Sequence, residues 1–145
     1  MRILYIILYV MSFVFTQDNL KKCGMFSESQ DRFPRPVLSG IKDSIPSSDG
    51  YFMIHFTRSG VDAVSLADSD GDGIPNYIEE VELAATYSKN LLLIDMSYQS
   101  PIPDNNNIYD IYILDLDAGY YGLNAPDNTV ANASFIQIDN EYEAA

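Results

Sequence analysis

Between Asp68 and Glu80 the chain reads D-S-D-G-D-G-I-P-N-Y-I-E-E, and the carboxylates in it stand at a spacing that prescribes one chemistry. Asp68, Asp70 and Asp72 alternate, and Gly73 follows the third. Glu79 falls where the calcium loop D-x-[DN]-x-[DN]-G-x5-E needs its closing acid. A hard divalent cation takes six to eight oxygens, so a chain folding back around one must offer oxygens at alternate positions. The carbonyl of Ile74 and the side chain of Asn76 occupy the seventh and ninth loop positions, and Glu79 can close the shell with two oxygens. Gly73 permits the sharp turn. A cation also explains why three aspartates crowd into five residues. The alternative is a solvated acidic turn in which the Asp-Gly pairs act as ordinary turn formers.

What flanks this loop departs from the EF-hand. An EF-hand needs a helix on each side, but the chain before Asp68 reads as a strand and a polar loop, with only the downstream side helical. Pro75 stands at the eighth loop position, where a paired EF-hand uses a backbone N–H that proline lacks. The string is more similar to the calcium loops of thrombospondin type 3 repeats and of many secreted bacterial proteins, in which D-x-D-x-D-G-I-P-D precedes a helix. Pro75 is suited to the first helical position.

The elements that must position the loop are legible on either side. Tyr51–Thr57, YFMIHFT, alternates Phe52, Ile54 and Phe56 against Tyr51, Met53, His55 and Thr57, and predicts a strand. From residue 75 to about 95 a helix is expected, with Ile74, Ile78, Val81, Ala85 and Leu92 as its core-facing stripe. Glu79 then lies in the first turn, where negative charge suits the helix dipole. Pro101 and Pro103 end that run, and Ile108–Leu116 follows as a strand with Tyr109, Ile111 and Ile113 on one face. The glycine- and asparagine-rich stretch after Leu116 reads as a loop, and Ser134–Ile138 as a last strand. Strand, loop, helix, strand, strand describes an α+β fold, a small sheet with one long helix packed across it and the calcium loop at the N-terminus of that helix. No repeat of 20 to 50 residues is visible, which counts against a solenoid or a tandem calcium array.

At 145 residues and 47% apolar content the chain can bury a core as one domain. Residues 1–16, MRILYIILYVMSFVFT, have the basic start, apolar run and polar exit of a secretory signal peptide. The run is short for a membrane span of about 20 residues, so no stable anchor is expected after cleavage, and the protein should be secreted or held at the cell surface. Residues 17–50, rich in turn formers, read as a leader or linker, and the domain proper runs over 51–145 with its loop at 68–79. Up to Gly60 there are seven basic and five acidic residues; from Val61 onward there are one and sixteen. That field argues against nucleic acid as a partner and for a divalent cation, or a salty exterior, as the counter-charge. Cys23 has no second cysteine to pair with, and His55 is the only histidine, more at home as a structural residue on its strand than as a metal ligand.

Taken in order, F-M-I-H-F-T-x-S-G-x-D-A-V, the acidic loop, the proline turn, Y-D-I-Y-I-L-D-L, Y-Y-G and S-F-I-Q-I-D-N resemble the N-terminal half of secreted bacterial zinc metallopeptidases, from about Cys23 to the end. The resemblance implies a zincin-like half domain whose last strand precedes a helix carrying H-E-x-x-H. It also implies a structural Ca2+, a catalytic Zn2+ in the full-length parent only, and a peptide or protein substrate there. Ser134–Ile138, with the Y-Y-G segment, is expected to offer an exposed edge beside the substrate cleft. These 145 residues contain no H-E-x-x-H, and one histidine cannot assemble the usual zinc site, so the chain is expected to be a non-catalytic front part of such an enzyme. The competing expectation is a secreted calcium-binding adhesion or scaffold module without catalysis. A glycosidase is disfavoured, because its two carboxylates must face a sugar cleft and these sit in one loop.

Overall fold

A computed structural model describes residues 22–24, 34–103, 105–116 and 120–141. The expected signal peptide lies outside them. Six strands form one mixed sheet: β1 (Lys22–Gly24), β2 (Lys42–Pro46), β3 (Phe52–Thr57), β4 (Tyr109–Leu114), β5 (Tyr120–Pro126) and β6 (Ser134–Asp139). Their spatial order is β1-β5-β6-β4-β3-β2. β3, β4 and β6 run parallel, while β2 pairs antiparallel with β3 and β5 antiparallel with β6. The crossover from β3 to β4 carries the acidic loop and α1 (Asn76–Lys89). The fold is α+β, as the order of elements predicts.

Period-two alternation builds the core. Ile54, Ile111 and Ile136 stand in register across three parallel strands, and Ile113 pairs with Ile138 in the same layer. Phe52, Phe56 and Tyr109 complete the face, onto which α1 lays Ile78 and Val81. Ile54, Phe56, Ile78 and Ile113 are fully buried, and each such side chain contributes about 2 kcal/mol. A smaller cluster of Leu38, Tyr112, Ala125 and Phe135 covers the opposite face.

Helix α1 starts after Pro75, which keeps an extended backbone (φ −61°, ψ 136°) and serves as the cap, not as the first helical residue. Glu79 in the first turn and Lys89 in the last complement the helix dipole. The helix loses its α geometry at Asn90, where the backbone widens into a π turn over Asn90–Asp95. This turn corrects the expected stripe: Ile78 and Val81 are buried and Ala85 packs against them, but Leu92 is 44% exposed beside Leu91 and Ile94.

Three further expectations change. The stretch read as a leader contributes to the sheet, because Lys42–Pro46 pairs with β3 through its whole length. Its charged and proline residues suit an edge strand, and they hide the alternation. The loop expected after Leu116 contains β5, whose Gly122 brings its backbone against β6 so closely that a Cβ there would meet the Gln137 carbonyl at 3.1 Å. Ser134–Ile138 has no free edge: β6 is bonded on both sides, by β4 and β5. Its apolar exposure lies on the face of Ile136 and Ile138, which are only half-buried. Among the described residues, no helix is long and apolar enough to cross a membrane.

Candidate metal centre in the acidic loop

Ala63–Val64 runs back beside Thr57 and delivers the chain to residue 68. Asp68 then organises the turn, its Oδ1 accepting the Gly71 N–H at 2.7 Å and its Oδ2 the Gly73 N–H at 2.9 Å. Gly71 and Gly73 have φ of 78° and 90°, left-handed values that glycine adopts without steric cost. Asp70 Oδ1 accepts the Asp72 N–H at 3.3 Å, and Asp72 Oδ1 the Ile74 N–H at 2.7 Å. Asn76 closes the loop. Its Oδ1 accepts the Ser69 N–H, its Nδ2 donates to Ser69 Oγ, and its own N–H donates to the Ala67 carbonyl, each at 2.8 Å. Arg58, at the end of β3, donates to the Gly73 carbonyl at 2.8 Å and ties the loop to the sheet.

The result brings one oxygen from each of Asp68, Asp70 and Asp72 within 4.8 Å of the others. Glu79 faces them from the first turn of α1. Desolvation, and then the charges of Asp70, Asp72 and Asp68, push its carboxyl above the usual range. Asp68 moves the other way, held low by the amides of Gly71 and Gly73. Ile74 sends its side chain against the core, which anchors the backbone carrying the seventh-position carbonyl. Three acids thus converge, with Glu79 near enough to feel their charge, and backbone amides are the donors found for the aspartates. Such a donor set suits a hard cation bound by oxygen. These groups, with Asn76 and the Ile74 carbonyl, could hold one.

Sequence reasoning missed a second charged cluster, on the sheet face away from α1. Arg35 donates from Nε to Asp127 Oδ2 at 2.8 Å, and its Nη2 lies 2.7 Å from the same oxygen. Its Nη1 binds Asp110 and reaches the Tyr112 hydroxyl at 3.3 Å. His55 Nε2 lies 2.9 Å from the other Asp110 oxygen, and its ring stacks on Tyr112 at 4.7 Å. Thr129 donates its N–H and hydroxyl to Asp127 Oδ1, both at 2.6 Å. Burial pulls the Asp110 carboxyl upward, but hydrogen bonds from His55 and Arg35 outweigh it and leave it below the usual range. Asp127 is likewise low, with Thr129 and Arg35 overcoming desolvation. The same bonds, against the cost of burial, raise Arg35 further. His55 is therefore engaged within the fold. The available signal was an aspartate and a histidine inside apolar strands, at Y-D-I-Y and M-I-H-F.

Comparison with known proteins leaves the geometry to stand by itself: no family model, no curated protein and no solved structure matches the chain.

Proposed function

We propose that residues 68–79 bind one structural Ca2+, and that this chain is the calcium-stabilised, non-catalytic N-terminal part of an exported zinc metallopeptidase. The convergence of Asp68, Asp70 and Asp72 within 4.8 Å, with Glu79 beside them, is the observation that carries the calcium reading. Three monodentate aspartates, the Asn76 side chain, the Ile74 carbonyl and a bidentate Glu79 suit the oxygen count that Ca2+ prefers, whereas Mg2+ demands a tighter octahedron. The ion would neutralise four like charges and join the sheet-tethered loop to the first turn of α1.

The peptidase reading rests on the ordered resemblance of the sequence segments. Under it, the zinc ligands lie outside these residues, since His55 is committed to Asp110 and no second histidine exists. Two measurements separate the parts of the proposal. Calcium at a hundred times its dissociation constant should add about 2.7 kcal/mol to stability. That gain should vanish in Asp70→Ala, and an equal shift in both proteins overturns the calcium assignment. Reading the source DNA past Ala145 tests the second part. A downstream H-E-x-x-H supports the peptidase, while further D-x-D-x-D-G loops support a calcium-binding adhesion or scaffold module.

A further inference from the structure

On the sheet face away from α1, Ser44 of β2 stands opposite His55 of β3, and His55 stands beside Tyr112 of β4. Lys42 shares that face with Ser44, because side chains alternate along a strand and the residue after Ser44, Ile45, packs on the α1 side. Together with Pro36 and Leu38, from the segment that precedes β2, these side chains line a recess of about 210 Å3. Three polar groups in the lining have no partner among the described residues: the Lys42 ammonium, the Ser44 hydroxyl and Nδ1 of His55. The acids beside them are taken. Asp43 accepts from Arg58 and from the Ser44 N–H, and Asp110 accepts from Arg35 and His55. Lys42 is thus the one charge of the recess without a counter-charge.

Each group sets a requirement on the ligand. Lys42 calls for an anion, and the Ser44 hydroxyl can donate to the same group. Asp110, ion-paired with Arg35, is an acceptor only, so Nε2 of His55 donates to it and Nδ1 of the neutral ring presents a lone pair. That lone pair calls for a donor, and a hydroxyl suits it better than an ammonium, which Lys42 would repel. Pro36, Leu38 and the Tyr112 ring offer carbon surface, from which a hydrated inorganic anion gains nothing. The volume lies below the range of about 300–1,000 Å3 that drug-sized ligands fill, which holds the ligand to a few carbons and leaves no room for a helix or strand of another chain. We infer that this recess binds a small 2-hydroxy carboxylate, its carboxylate at Lys42 and Ser44 and its hydroxyl donating to Nδ1 of His55. The inference is independent of the calcium and peptidase readings.

His55 is the only histidine, so its Cε1–H resonance in proton NMR of the full chain reports on the recess alone. Lactate should shift that resonance saturably, with a dissociation constant of about 1 mM or below. Propionate lacks the hydroxyl, 1-amino-2-propanol lacks the carboxylate and inorganic phosphate lacks the carbon surface; each should bind at least tenfold more weakly. Lys42→Met should weaken lactate at least tenfold, while Lys42→Arg should stay within threefold of the parent, both at an exposed edge position that the fold tolerates. Propionate or phosphate binding as tightly as lactate overturns the proposal, the first by removing the role of Nδ1 and the second by making the recess a site for any anion. A shift equal in Lys42→Met and the parent overturns it too, as does the absence of a saturable shift.

Discussion

Asp110 and Asp127 are buried beside a guanidinium supplied by their own chain, whereas Asp70 and Asp72 stand at the surface with backbone amides as their donors. Both regions gather carboxylates, yet their electrostatics end differently. In the Arg35 cluster each acid has a cation, and the buried groups hold each other's charge in place. In the loop the fourth acid, Glu79, is pushed up by desolvation first and then by the charges of the other three. The buried carboxylates thus have a positive partner within the chain, and under the calcium proposal the loop's carboxylates would take theirs from the ion.

The contrast is sharpest under Arg35→Ala. It leaves two buried carboxylates without a cation and should lower stability by about 3 kcal/mol in urea unfolding. Arg35→Lys, which keeps the charge but loses the planar fork, should recover part of that. A loss below about 1 kcal/mol would mean that the cluster is as loosely held as a surface pair and would dissolve the comparison.

Acid acts on the same pair more gently. The folded-state values of Asp110 and Asp127 lie below those of the unfolded chain, so their contribution is complete above the ordinary carboxylate value of about 4 and is lost as pH falls through the lower folded values. The urea midpoint of the metal-free protein should therefore hold between about pH 7 and pH 5 and fall steeply below about pH 4, and Asp127→Asn should flatten the fall. A midpoint in Asp127→Asn that falls as steeply as the parent's would assign the acid limb to other groups.

In the loop, Asp72→Asn should weaken calcium binding about tenfold or more by removing one charged ligand. Without calcium it should leave stability unchanged or slightly higher, since it also removes a like charge. A marked loss of metal-free stability would instead make the loop a self-sufficient turn. Arg58→Ala is expected to have the smallest effect, under about 1 kcal/mol, because its bonds to Asp43 and Gly73 are half exposed. Calorimetry on this variant measures how far the sheet tether matters to the loop.

The two regions also differ in how they are written in the chain. Every ligand candidate of the loop lies within twelve residues, so fixed spacing alone brings Asp68 to Glu79 together, and strict alternation makes β3 and β4 equally legible. The Arg35 cluster joins positions 75 and 92 residues apart, and no local pattern relates them. β5 was hidden because Gly122, Asn124 and Pro126 are turn formers by propensity and strand residues only through their pairing with β6. β2 was hidden because Lys42 and Pro46 guard an edge instead of filling a core. The end of α1 was misread because periodicity assumes an unchanging pitch, and the chain changes it at Asn90.

The central position of β6 has a consequence in time. Synthesis proceeds from residue 1, so β2, β3, α1, β4 and β5 all leave the ribosome before the strand that joins them. Until Ser134–Asp139 appears, β4 has one open side and β5 lacks the antiparallel partner that orders it. The Arg35 cluster is incomplete as well, because Asp127 is brought beside Arg35 by a turn whose Asp127 N–H bonds to the Ala133 carbonyl. The nascent chain therefore carries an apolar strand, Tyr109–Leu114, open along one side through the synthesis of about twenty further residues, and the sheet closes from its middle in a late step, the kind of non-local pairing that slows folding.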